Sequence, residues 1–234
     1  MAGLRVADAA APARSLRPAV AAATPSGLYL LTPDWDDTSR LLAVSAAALA
    51  AGVRWLQYRH KGAAPALRRQ QARALRELTR DHDASLVIND DLALALQVQA
   101  DGVHLGRDDG NVAAARAAWP QGAIGVSCYD DYARAEAGWH EGACHVAFGA
   151  VFASRVKPGA VRAPLALLER ARAAGRPAVA IGGIDAGNIA QVAAAGAAAA
   201  ALISAVFDAP DPAAAAAELI QRWNSAQSGR TGGP

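Results

Sequence analysis

The segment Gln57-Tyr58-Arg59-His60-Lys61 closes an apolar, strand-like run. Alternate residues of a strand share a face, so Gln57, Arg59 and Lys61 project together. Two fixed cations and an amide suit a multiply charged anion such as a diphosphate. A solvated strand end making ion pairs explains the same residues equally well. Farther on, Asn89-Asp90-Asp91 ends one apolar run, and Asp108-Asp109 follow the next. One carboxylate from each of two neighbouring loops makes a pair for Mg²⁺, which takes carboxylates, water and phosphate oxygens. Asp91 and Asp108 also suit helix entry, where an acid meets the positive end of the macrodipole. That leaves Asp90 and Asp109 as the metal candidates.

Further along lie hydroxyls, cations and glycines. Ser127 has no GxSxG frame and no adjacent base, so a hydroxyl donor to phosphate fits it better than a nucleophile. Ser154-Arg155-Val156-Lys157 adds a hydroxyl and two cations. Lys157 also raises the rival of Schiff-base chemistry, which favours a buried strand lysine over one in a loop. His104 falls mid-strand and reads as a packed, hydrogen-bonded residue. Gly182-Gly183 and Ile203-Ser204 end the last two apolar runs. Glycines there let backbone N–H groups approach an anion at a helix start; serving tight turns is their plainer role. Two anion sites on one rim result, one cationic and metal-assisted, the other neutral and glycine-built. An enzyme that joins two phosphorylated substrates needs both.

These residues sit at the ends of regularly spaced elements. Strand-like runs cover Gly27 to Thr32, Val53 to Arg59, Ser85 to Asp90, Gly102 to Gly106, Ala123 to Cys128, His145 to Val151, Pro177 to Ile184 and Ala198 to Phe207. Short runs with little charge fit parallel strands buried on both faces. Helical stretches intervene, clearest over Thr38 to Ala51, Ala64 to Arg80, Asp131 to His140, Pro164 to Ala174 and Asp211 to Trp223. About eight strand–helix units imply an α/β fold, the closed (β/α)₈ TIM barrel. An open doubly wound sheet usually shows GxGxxG after its first strand; here Pro33, Asp34 and Trp35 follow instead. Residues 1–26, rich in Ala, Pro and Arg, read as a flexible N-terminal extension whose composition a transit peptide shares. The catalytic barrel is expected over 27–224, with a polar, Gly-rich, disordered tail over 225–234.

Composition removes other classes. The chain has 234 residues, a net charge of +2 and 53% hydrophobic residues, enough for one large core. No basic block or aromatic stripe suggests nucleic acid, and no apolar run is long and uncharged enough to span a membrane. Cys128 and Cys144 form no CxxC pair. Small-molecule substrates are the expected partners, cytoplasm the default compartment, and a homo-oligomer is left open.

The segments GLYLLTPD, LQYRHK, VINDDLALAL, ADGVHLGRDD, IGVS, FGAVFASRVK, AIGGI and LISAVF, in this order, resemble those of the thiamine-phosphate synthase family from about Gly27 to Trp223. The resemblance implies a (β/α)₈ barrel that couples a hydroxymethylpyrimidine diphosphate to a hydroxyethylthiazole phosphate with Mg²⁺ and releases pyrophosphate. It implies that Gln57 contacts the pyrimidine. Arg59, Lys61, Asn89, Ser127 and Lys157 would hold the diphosphate, and Arg59, Lys61, Ser127 and Lys157 would act in catalysis. Asp90 and Asp109 would bind Mg²⁺. Gly183, Ile203 and Ser204 would hold the thiazole phosphate, with Ser154 near the thiazole. Departures from the family pattern are Val156 for a Thr, Arg107 for a Gln, Asp91 for an Arg and Tyr129 for a His. The related thiazole tautomerase is thought to use that His, and its absence favours the synthase. A non-catalytic sensor of a thiamine precursor is the rival of another class.

Overall fold

The computed structural model of the chain describes residues 24–153 and 161–231. Among them, eight parallel strands pair in chain order and close into a ring. They are β1 (Gly27–Leu31), β2 (Trp55–Tyr58), β3 (Ser85–Asn89), β4 (Gly102–Leu105), β5 (Ala123–Tyr129), β6 (His145–Gly149), β7 (Ala178–Ile181) and β8 (Ala199–Leu202). The helices are α1 (Thr38–Ala50), α2 (Pro65–Asp81), α3 (Leu92–Gln97), α4 (Val112–Ala118), α5 (Tyr132–His140), α6 (Ala166–Ala173), α7 (Ile189–Ala194), α8 (Ser204–Phe207) and α9 (Pro212–Thr231). This is the expected (β/α)₈ barrel. No helix among the described residues is long and apolar enough to cross a membrane.

Each strand sends alternate residues inward and outward. The outward set, including Leu30, Leu56, Leu86, Val103 and Ile124, meets the helices in one large core. The inward set is smaller and includes Tyr29, Trp55, Val87, Ala147, Val179 and Ala201. Large and small residues complement one another inside. Tyr29 and Trp55 meet edge to face with centroids 6.1 Å apart, while β8 contributes little but Ala. The Ala-rich sequence thus serves the barrel interior as well as the helices.

Acids and an amide start several of the helices. Asp37, Asp91, Asn111 and Asp131 each accept a hydrogen bond from a backbone N–H in the first turn of α1, α3, α4 and α5. Such caps contribute roughly 1 kcal/mol each. Asp91 therefore has the helix-entry role, but Asp108 does not: Asn111 caps α4.

Two expected boundaries are corrected. The apolar run after Ala198 is not one strand to Phe207; β8 stops at Leu202, and Ser204–Phe207 form α8. An unbroken apolar run does not distinguish a buried strand from a buried helix. The tail expected from 225 is helical as far as Thr231. Trp223 is buried and Ala226 packs on the core, so both anchor the last turns; an established helix extends at little cost. Helix α9 packs on α1, α7, α8 and β1, bridging the two ends of the ring. Of the expected extension, 1–23 lie outside the described residues. Thr24 Oγ1 donates to the Cys144 carbonyl at 3.4 Å.

Candidate active site

The carboxyl ends of the strands surround a cavity of about 330 Å³. Gln57, Arg59, Lys61, Asn89, Asp90, Asp109, Ser127, Gly183, Ile203 and Ser204 all line it. Ser154 and Lys157 lie outside the described residues, as do Arg155 and Val156.

Strand β2 ends at Tyr58, yet the alternation continues into the turn, so Gln57, Arg59 and Lys61 reach one cavity as expected. Gln57 is 2% exposed. Its Nε2 donates to Tyr29 Oη at 2.7 Å, leaving Oε1 with no hydrogen-bond partner among the described residues. Burial of the Tyr29 phenol pushes its pKa well up, partly offset by the bond from Gln57. The phenol therefore stays neutral. Arg59 Nη1 donates to Asp34 Oδ1 at 2.9 Å, and the backbone N–H of Lys61 donates to the same oxygen at 3.2 Å. Thr32 clamps the turn, donating from Oγ1 to the Arg59 carbonyl and accepting from the Arg59 N–H, both at 2.9 Å. Sequence reasoning passed over Asp34, whose position just past β1 marks it as a rim residue.

Lys61 Nζ lies 3.4 Å from Asp90 Oδ2. Asp90 has φ +65°, a backbone region that non-glycine residues enter at some cost and that clusters at functional sites. Its Oδ1 accepts from the Gly106 N–H at 3.3 Å. Asp109 comes from the next loop. Partial desolvation, then the charge of Asp90 and a hydrogen bond with it, raise the Asp109 carboxyl above the usual range. Gly106 makes the approach feasible, because a Cβ there would stand 2.2 Å from Asp109 Oδ2. A cation between two carboxylates relieves their repulsion. Mg²⁺ fits this pair, since it commonly takes one or two carboxylates and completes its shell with water and phosphate oxygens. The described residues contain no group of three or more His, Cys, Asp or Glu side chains placed for a metal, so water and substrate would supply the remaining ligands.

Ser127 Oγ is 3.0 Å from His104 Nε2. The ladder slips after Ser127, where Tyr129 takes φ +56°. Arg134 of α5 steadies this bulge, donating to the Ser127 carbonyl at 2.7 Å and the Gly106 carbonyl at 3.2 Å. Nothing in the sequence around Arg134 signals that role. Burial lowers the His104 pKa to about 4, with Asp90 opposing the shift. Burial, then His104, holds His145 well below the ordinary histidine range. Both rings are neutral at physiological pH.

Across the rim, Gly182 and Gly183 take φ +102° and +63°. A Cβ on Gly183 would stand 2.3 Å from the Ala153 carbonyl oxygen. These glycines are thus required by the close approach of Ala150, Phe152 and Ala153 as well as by the turn. Asn188 Nδ2 donates to the Gly183 carbonyl at 2.8 Å and pins the turn. Ile203 precedes α8 and Ser204 opens it, with no side chain capping the helix start.

Residues 28–206 match the family model described as thiamine monophosphate synthase. The chain is 54% identical over 194 residues to a thiamine-phosphate synthase of Chromobacterium violaceum, covering 82% of this chain and 94% of that one. It is 55% identical over 188 residues to that of an Azoarcus species, covering 80% and 91%. Among solved structures, a thiamine phosphate pyrophosphorylase from Pyrococcus furiosus superposes with a TM-score of 0.76 at 32% identity, covering 86% of this chain and 96% of that one.

Proposed function

Since the chain belongs to the thiamine monophosphate synthase family, thiamine-biosynthetic transferases built on a TIM barrel, we propose that its rim joins two substrates in named subsites. The substrates are 4-amino-2-methyl-5-hydroxymethylpyrimidine diphosphate and 4-methyl-5-(2-hydroxyethyl)thiazole phosphate. The products are thiamine phosphate and pyrophosphate. Support comes chiefly from the contact between the Asp90 and Asp109 carboxylates beside Lys61, in a cavity that Gly183, Ile203 and Ser204 close on the other side.

Gln57 holds the pyrimidine, its unpartnered Oε1 accepting from the exocyclic amine. Arg59, Lys61, Asn89 and Ser127 bind the diphosphate; Lys157, assigned to the same role by resemblance, is outside the described residues. Asp90 and Asp109 would hold Mg²⁺, which would supply positive charge to offset that of the diphosphate. The methylene C–O bond breaks, and its electron pair leaves with the diphosphate. Arg59 and Lys61 stabilise that developing charge. The electron-rich pyrimidine carries the resulting cation. The thiazole nitrogen then donates its lone pair to form the C–N bond. Backbone N–H groups of Gly183, Ile203 and Ser204 hold the thiazole phosphate; Ser154, assigned to the thiazole by resemblance, is outside the described residues. No proton moves in the bond exchange, so the protein needs no base or nucleophile. It supplies position and fixed charge.

Mixing the purified chain with both substrates and Mg²⁺, with an EDTA control, tests this reading. Thiamine phosphate is read as its fluorescent oxidation product. Mg²⁺-dependent product is expected. Folded protein that forms none overturns the proposal.

A further inference from the structure

The barrel interior carries a buried polar layer that the reaction above leaves unused. His104 and His145 lie on β4 and β6, both in register with Gly125 of the intervening β5. Their ring centroids are 5.7 Å apart and their planes tilt by 34°. Both residues are buried. His104 Nδ1 and both nitrogens of His145 have no hydrogen-bond partner among the described residues. Gly125 separates the rings without filling the space between them. A Cβ there would stand 2.2 Å from His145 Nε2 and 2.6 Å from His104 Nδ1. Those two nitrogens therefore converge on one point.

A neutral imidazole has one N–H and one bare nitrogen. Two arrangements fit the 3.0 Å contact between His104 Nε2 and Ser127 Oγ. With the proton on His104 Nδ1, Ser127 must donate to His104, and it then offers the cavity only lone pairs. With the proton on Nε2, His104 donates to Ser127, and the hydroxyl hydrogen turns to the cavity. Only the second arrangement gives a diphosphate a donor. It also leaves His104 Nδ1 bare, so that a His145 proton on the facing Nε2 has an acceptor. In the reverse arrangement His104 Nδ1–H donates to His145 Nε2, and the His145 proton then sits on Nδ1 with no acceptor among the described residues, the rarer defect. A small turn of the His145 ring, or one bridging water, satisfies both facing nitrogens.

We propose that His145 and His104 are positioning residues. An N–H of His145 fixes the His104 tautomer, and His104 directs the Ser127 hydroxyl toward the substrate. The catalytic part of this inference rests on the proposed diphosphate role of Ser127, whereas the tautomer is a property of the free protein. The relay exists only where position 125 lacks a side chain.

Two experiments on the full chain test it. In protein labelled with ¹⁵N-histidine, a long-range ¹H–¹⁵N correlation reads the ring protonation of His104, assigned by its loss in His104→Gln. The proton is expected on Nε2; a proton on Nδ1 overturns the proposal, whether or not the chain couples its substrates. Second, His145→Phe is expected to lower kcat/KM for the pyrimidine diphosphate about tenfold, roughly one oriented hydrogen bond. The KM for the thiazole phosphate stays unchanged. In a Ser127→Ala background the same change costs nothing further, because the hydroxyl it directs is gone. Unchanged kcat/KM in His145→Phe, or full additivity with Ser127→Ala, overturns the relay. If His145→Phe fails to fold, the His145 ring in the same wild-type spectrum decides: the nitrogen that faces His104 is Nε2, so a proton on Nε2 supports the relay and a proton on Nδ1 overturns it.

Discussion

Arg59 Nη1 meets Asp34 Oδ1 at 2.9 Å, so the rim guanidinium is held by a carboxylate before any diphosphate arrives. The side chains are 20% and 43% exposed, respectively. Solvent screens such a pair, and its contribution is small. The contact aims Arg59 without trapping it. Arg59→Ala is expected to lower kcat/KM by ~10²-fold or more, the scale seen when a charge-stabilising donor is lost. Asp34→Ala should cost only a few-fold, within the ~1 kcal/mol range of exposed ion pairs. Steady-state kinetics on both variants checks the ranking; near-normal turnover without Arg59 would remove it from the diphosphate subsite.

Asp109→Asn removes one of two crowded carboxylates. The Mg²⁺ concentration giving half-maximal rate should rise by at least about tenfold, comparable to losing a charge-assisted contact. Varying Mg²⁺ at saturating substrates measures this directly. An unchanged midpoint would exclude Asp109 as a ligand.

Gly183→Ala forces a Cβ toward the Ala153 carbonyl oxygen and strains a residue at φ +63°. The turn must shift, and with it the backbone N–H groups beside the thiazole phosphate. The KM for the thiazole phosphate should rise about tenfold or more, while that for the pyrimidine diphosphate changes little. Equal damage to both constants would count against two separate subsites.

The buried histidines make stability depend on pH. His104 has a folded pKa of about 4 against an ordinary 6.5, and His145 is lowered in the same direction. Below pH 6.5 the unfolded chain takes up protons that the folded chain refuses. Stability is thus full above pH 6.5 and falls as the pH drops toward 4. Each histidine contributes at most about 1.4 kcal/mol per pH unit. Urea unfolding between pH 7.5 and 5 should show this decline, and His145→Phe should reduce its slope. A slope that His145→Phe leaves intact would assign the decline to other groups.

Local pattern revealed some of this molecule and contact across the barrel the rest. The Gln57-x-Arg59-x-Lys61 alternation was legible because strand geometry fixes it within five residues. The rim position of Asp90 and Asp109 was legible because each follows a strand. The boundary of α8 was not, since Ser204–Phe207 continues an apolar run. Nor was the pairing of His104 with His145: the two residues meet only because β4 and β6 flank a glycine. Arg134 and Asn188 act on carbonyls of loops they do not belong to, or of a turn residue upstream, and no residue-type signature marks such contacts.

Helix α9 lies across α1, α7, α8 and β1, and it follows every residue of the cavity in chain order. During synthesis the whole rim emerges from the ribosome before the helix that packs over the joined first and last strands. A nascent chain stopped before Pro212 would carry all the proposed substrate contacts and still expose the apolar seam that Ala216, Leu219 and Trp223 cover. The last helix thus covers the barrel without lining the cavity, and shortening α9 offers a way to separate chain folding from chemistry without touching the rim.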